Sequence, residues 1–82
     1  MSGDLPSQLR WSDFVKVVQS LGYVPCKPKA GSARNFENFE LSPPVVTFHE
    51  PHGSKTIPKG TLSSYIRKLG ITKERFLELL NG

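Results

Sequence analysis

The stretch VVTFHEP, residues 45–51, decides how this chain folds. Val45, Val46, Thr47 and Phe48 are β-branched or aromatic, the types that suit a pleated, half-buried surface. Pro51 ends the run. Strand side chains alternate between faces. With Val46 and Phe48 turned to a core, Val45, Thr47 and His49 turn the other way. The alternation therefore puts His49 on the open face of a sheet.

The neighbouring segments supply partners for this strand. SPP at residues 42–44 is a rigid break. Before it, ARNFENFELS reads as a second strand. Its Phe36 and Phe39 are three apart, so one faces the core and the other solvent, or a bulge lies between them. YVPCKPKA, residues 23–30, carries Pro25 and Pro28 and reads as an edge strand, where a missing N–H costs little. Gly31 and Ser32 join these two segments as a hairpin turn.

Helices flank the strands. WSDFVKVVQSLGY places Phe14, Val17, Val18 and Leu21 on one face, with Ser12 as the expected N-cap and Gly22 as the stop. KGTLSSYIRKLG repeats the pattern with Leu62, Ile66 and Leu69. TKERFLELLNG forms a short third helix, capped by Thr72, with Phe76, Leu79 and Leu80 as its stripe. HGSKTIPKG reads as a loop and residues 1–10 as a frayed N-terminal segment. The expected fold is α+β: a two-layer sandwich, α-β-β-β-α(α), with a three-stranded antiparallel sheet and helices on one face. With 82 residues, the chain reads as a single domain over 1–82, its body running from 11 to 80.

The net charge of +4 is unevenly spread. Acids and bases cancel before residue 27 and after residue 68, so the whole excess lies between Lys27 and Lys68. A basic middle with neutral flanks suits an anionic partner, and nucleic acid is the commonest one for a small basic domain. The single cysteine, Cys26, forms no internal disulfide framework and no zinc site, which fits a reducing cytoplasm. No positive N-terminal region with an apolar run behind it suggests a signal peptide, and no run of about 18 apolar residues suggests a membrane span.

Two groups of residues are suited to chemistry. In FHEPHGSK, residues 48–55, His49 and His52 crowd beside a glutamate and Lys55. Without a third strong ligand they make a poor metal site. Imidazole, with an ordinary pKa of about 6.5, both takes and gives protons near neutrality. Cleavage of RNA by its own 2′-hydroxyl needs that property, together with a cation for the phosphorane charge. The plainer reading makes His49 a sheet-surface residue and His52 a loop cap. The second group is the turn itself. Main-chain N–H groups at Gly31 and the Ser32 hydroxyl suit a phosphate. Lys27, Lys29 and Arg34 add attraction, as do Lys55 and Lys59 farther on. The turn is far from a Walker pattern, so no nucleotide cofactor is expected. Ala33, next in line, can do no chemistry.

The GSxxxF spacing at residues 31–36, the HEPH segment at 49–52, and PKGTLSSYIRKLGITKERFLELL at 58–80 together resemble HicA-type toxins. The resemblance runs from about Trp11 to Leu80. It implies a fold similar to double-stranded-RNA-binding domains and a metal-independent endonuclease that cuts mRNA and halts translation. It also implies a HicB-type antitoxin that covers the active site. The family's catalytic histidine follows the Gly-Ser pair, and here that position is Ala33. If the chemistry depends on that position, the chain is inactive or weakened as it stands. Three explanations remain open: an introduced histidine-to-alanine change, a branch in which His49 or His52 does the work, or a non-catalytic module that binds RNA or antitoxin.

Overall fold

The computed structural model describes residues 5–27, 31–53 and 55–82. The elements run β1 (Gln8–Arg10), α1 (Trp11–Ser20), β2 (Val24–Pro25), β3 (Ala33–Glu37), β4 (Val45–His49), β5 (Thr56–Pro58), α2 (Lys59–Leu69) and α3 (Lys73–Asn81). Strands β2, β3 and β4 form an antiparallel sheet in that order, so β2 lies at an edge, where Pro25 needs no ladder N–H. The α+β sandwich with a three-stranded antiparallel sheet is thus as expected.

One aromatic side chain from each layer element builds the core. Phe14 of α1 meets Phe48 of β4 edge-to-face at 4.9 Å and lies 6.2 Å from Phe76 of α3. Tyr65 of α2 stacks obliquely on Phe48 at 4.8 Å, and Phe36 of β3 lies 6.1 Å from it. Phe14, Phe48 and Phe76 are fully buried, and no polar side chain among the described residues is buried with them. Burial of such rings is the main favourable contribution in a domain this small. Val46 and Phe48 face this core, whereas Val45 and His49 are exposed, which is the alternation expected for β4. Phe36 is buried and Phe39 is exposed, resolving that pair.

Three local expectations are corrected. Residues 5–10 do not fray. Leu5 and Leu9 are buried, and β1 pairs with β5 so that Leu9 lies opposite Ile57. Residues 1–4 lie outside the described residues. The segment 52–60 is not wholly a loop, because Thr56–Pro58 is that partner strand. A three-residue strand offers one inward side chain, so neither strand leaves an alternation to read. Ser12 does not cap α1. The N-cap is Arg10 and makes no side-chain cap bond, because β1 runs directly into the helix. Thr72 does cap α3, its hydroxyl accepting from Arg75 N–H at 3.0 Å. Gly70 closes α2 in the left-handed region at φ +73°, which suits glycine.

Candidate active site

The site forms where the Gly31 turn meets the end of β4. Gly31 takes φ +65°, and nothing lies within 4 Å of where a Cβ would stand. Glycine is needed there for its backbone conformation, not for space. Glu50 N–H donates to Ser32 O at 2.8 Å and extends the β3–β4 ladder by one rung.

The register decides what faces the open side. Ala33 pairs with His49, and Arg34 with Phe48. Both main-chain groups of His49 turn away from β3 to Tyr65: its N–H donates to Oη at 3.3 Å, and Oη–H donates to its carbonyl at 3.1 Å. Ala33 and His49 are therefore a non-hydrogen-bonded pair, the kind whose side chains come closest. Alanine's single methyl leaves the neighbouring space to the imidazole. His49 Nδ1 lies 3.3 Å from Ser32 Oγ, so the histidine engages the Gly-Ser turn from the adjacent strand.

Behind this pair, Glu50 bridges two cations. Arg34 Nε donates to one carboxylate oxygen at 3.0 Å, and Lys55 Nζ to the other at 3.2 Å. The Lys55 hydrogen bond, backed by the charges of Lys55 and Arg34, holds the Glu50 carboxyl below the usual carboxylate range, against an opposing push from lost hydration. Arg34 Nη1 also donates to the carbonyls of Gly31 and Ala33 at 2.8 and 3.1 Å. Arg34, expected to hold phosphate, thus also braces the turn. Lys55 takes φ +58°, unusual for a residue other than glycine and costing about 1–3 kcal/mol. Its carbonyl accepts from Trp11 N–H at 2.9 Å, which pins it to the start of α1.

Two clefts flank the segment from Glu50 to His52. One, of about 180 Å³, lies between the turn and the following loop and is lined by Arg34, Lys55 and His52 among others. The other, of about 340 Å³, is lined by His49, His52, Pro58, Thr61 and Tyr65 among others. Ser32, Glu50, Pro51 and His52 line both. The structure thus gathers Gly31, Ser32, Ala33, Arg34, His49, His52 and Lys55 in one corner. Lys27 is exposed and lines neither cleft, and Lys59 stands exposed at the start of α2. Lys29 lies outside the described residues. The Glu50 bridge to Arg34 and Lys55, and the hold of Tyr65 on the His49 main chain, depend on pairings between distant segments that no local pattern in the sequence encodes.

Cys26 stands just past the end of β2, its N–H donating to Asn35 O at 2.8 Å. Its loss of hydration, and then Glu37, push its thiol up, which makes it a poor nucleophile at neutral pH. Among the described residues, no three His, Cys, Asp or Glu side chains converge as metal ligands, and no helix is long and apolar enough to cross a membrane.

A family model described as HicA toxin of bacterial toxin-antitoxin matches residues 11–71, which include the whole of this corner. Neither curated proteins nor solved structures give a match. With the match spanning well over half of its 82 residues, the chain belongs to the HicA toxin family.

Proposed function

We propose that this toxin blocks translation by cutting mRNA, and that His49 performs the proton transfer the family assigns to the position now held by Ala33. The observation that carries the reading is the pairing of Ala33 with His49, with His49 Nδ1 at 3.3 Å from Ser32 Oγ. An imidazole on the neighbouring strand occupies the face from which a residue at position 33 would work.

The chemistry follows from the groups in the corner. His49 accepts the proton of a ribose 2′-hydroxyl as that oxygen bonds to phosphorus. Lys55 offsets the charge on the phosphorane. The bond from phosphorus to the 5′-oxygen breaks, and His52, in the same cleft, delivers a proton to that oxygen. The products are a 2′,3′-cyclic phosphate and a 5′-hydroxyl, with no metal or nucleotide cofactor consumed. The chain works as a single cytoplasmic domain, and a HicB-type antitoxin neutralises it by covering this corner.

RNA cleavage and growth arrest test the assignment. The unmodified chain should cleave RNA, and His49→Ala should lower the rate by about 100-fold or more, the usual scale for removing a general base. An inert chain that gains cleavage only on Ala33→His would overturn the role of His49 and mark Ala33 as the missing catalytic residue. If both forms leave RNA intact yet bind it with a steep salt dependence, the alternative reading holds: a non-catalytic RNA-binding or antitoxin-binding module.

A further inference from the structure

We infer that the larger cleft, between the end of β4 and the first turn of α2, is a subsite for one nucleobase of a single-stranded RNA. The inference rests on the cleavage reading above and adds to it where the base beside the cut phosphate lies.

The two clefts divide as a nucleotide does. The smaller one is lined by Arg34 and Lys55 with the Glu50 carboxylate between them, two cations to one anion, which leaves net positive charge for a phosphate. The larger one has no lysine or arginine in its lining. It offers the proline rings of Pro51 and Pro58 and the ring of Tyr65, with the Ser32 and Thr61 hydroxyls, two imidazoles and the Glu50 carboxylate as polar groups. Flat apolar surface with a few hydrogen-bonding groups is what an unstacked base requires. The volume of about 340 Å³ sits at the small end of small-molecule sites, about 300–1,000 Å³. Ser32 and His52 border both clefts, so phosphate and base would meet beside His49.

The subsite is built before any ligand arrives. The hydroxyl of Tyr65 is fixed to both main-chain groups of His49, and its ring packs on Phe48 at 4.8 Å and Phe14 at 5.5 Å. A base seated there would be held against the same residue that positions the His49 backbone. Thr61 is exposed at the rim, so it can be changed without disturbing the core.

Nuclear magnetic resonance titration of the full chain with uridine 3′-phosphate, adenosine 3′-phosphate, ribose 5-phosphate and inorganic phosphate tests this. At least one nucleotide should bind about ten-fold more tightly than ribose 5-phosphate, the scale of one base contact. It should shift the amides of Thr61 and Tyr65, and inorganic phosphate should shift only those near Ser32 and Lys55. Thr61→Trp, which fills the cleft, should remove the ten-fold gain and keep the phosphate response. Thr61→Glu serves the same purpose if tryptophan disturbs folding. Equal affinity for nucleotides and ribose 5-phosphate, or an unchanged gain in a folded Thr61 variant, overturns the subsite. A base-dependent gain in a chain that cuts no RNA would sink the cleavage reading and leave the subsite standing. Cleavage without any base-dependent gain would do the reverse.

Discussion

Strand β4 carries two regions built on opposite terms. Phe48 is fully buried and touches rings from two helices and a neighbouring strand, with Lys68 Nζ 5.9 Å from its ring centre. His49, one residue on, is exposed and is held by a hydroxyl and by its own main-chain bonds. The core is held chiefly by area removed from water. The corner is held by directional bonds among half-exposed groups, which contribute little stability but fix positions. One residue therefore separates what keeps the chain folded from the corner proposed to act on RNA, because a strand alternates its faces.

The sharpest way to expose that division is Phe48→Ala. It removes the ring on which Phe14, Phe36 and Tyr65 all pack. A loss of about 3–5 kcal/mol is expected, much of the whole stability of a small domain. Denaturant unfolding should show a large fall in midpoint, whereas His49→Ala should stay within about 0.5 kcal/mol of the parent. Comparable losses from the two substitutions would mean that the corner is part of the core after all.

A second substitution tests where the two regions join. Leu9 is buried opposite Ile57 in the β1–β5 ribbon, whose ends lead into α1 and away from Lys55. Leu9→Ala should cost about 2–3 kcal/mol as a core truncation at the edge of the core. It should also loosen the Trp11–Lys55 bond that keeps Lys55 in its left-handed conformation. RNA cleavage measured well below the unfolding midpoint should fall along with stability. Full activity in a folded Leu9→Ala chain would show that the corner stands without the ribbon.

The parts of this molecule legible in the sequence are those governed by local periodicity. Val46 and Phe48 inward with His49 outward, the Leu62, Ile66 and Leu69 stripe, and the Thr72 cap all follow from spacing along one segment. The β1–β5 ribbon did not, because each strand offers a single inward residue, Leu9 or Ile57, and Pro58 looks like a break. The corner was half legible. His49, Ser32 and Lys55 were recognisable by residue type. That Ala33 faces His49 is a matter of register between strands separated by a break at 42–44, and no local pattern encodes it. Glu50 was visible only as a charge beside two histidines, until folding placed Arg34 and Lys55 on its two oxygens.

A small effect on stability, below that of either core truncation and specific to the corner, comes from Glu50→Gln. Its partners are partly exposed, Arg34 at 30% and Lys55 at 67% of their side chains. Solvent screens such pairs, so the loss at neutral pH should be about 1 kcal/mol or less. The pH dependence identifies its origin. The folded chain lowers the Glu50 value. Its contribution is therefore fully present above the unfolded value of about 4.3 and is lost as pH falls through the lower folded value. The gap in stability between parent and variant should hold steady from neutral pH to about pH 5, then close in acid. Function should move the other way. Glutamine no longer supplies the anion that Arg34 and Lys55 now share, so RNA phosphate should bind more tightly and with a steeper salt slope. A stability gap that persists unchanged in acid would show that Glu50 acts through packing alone. Unchanged RNA affinity would show that its two cations never meet the substrate.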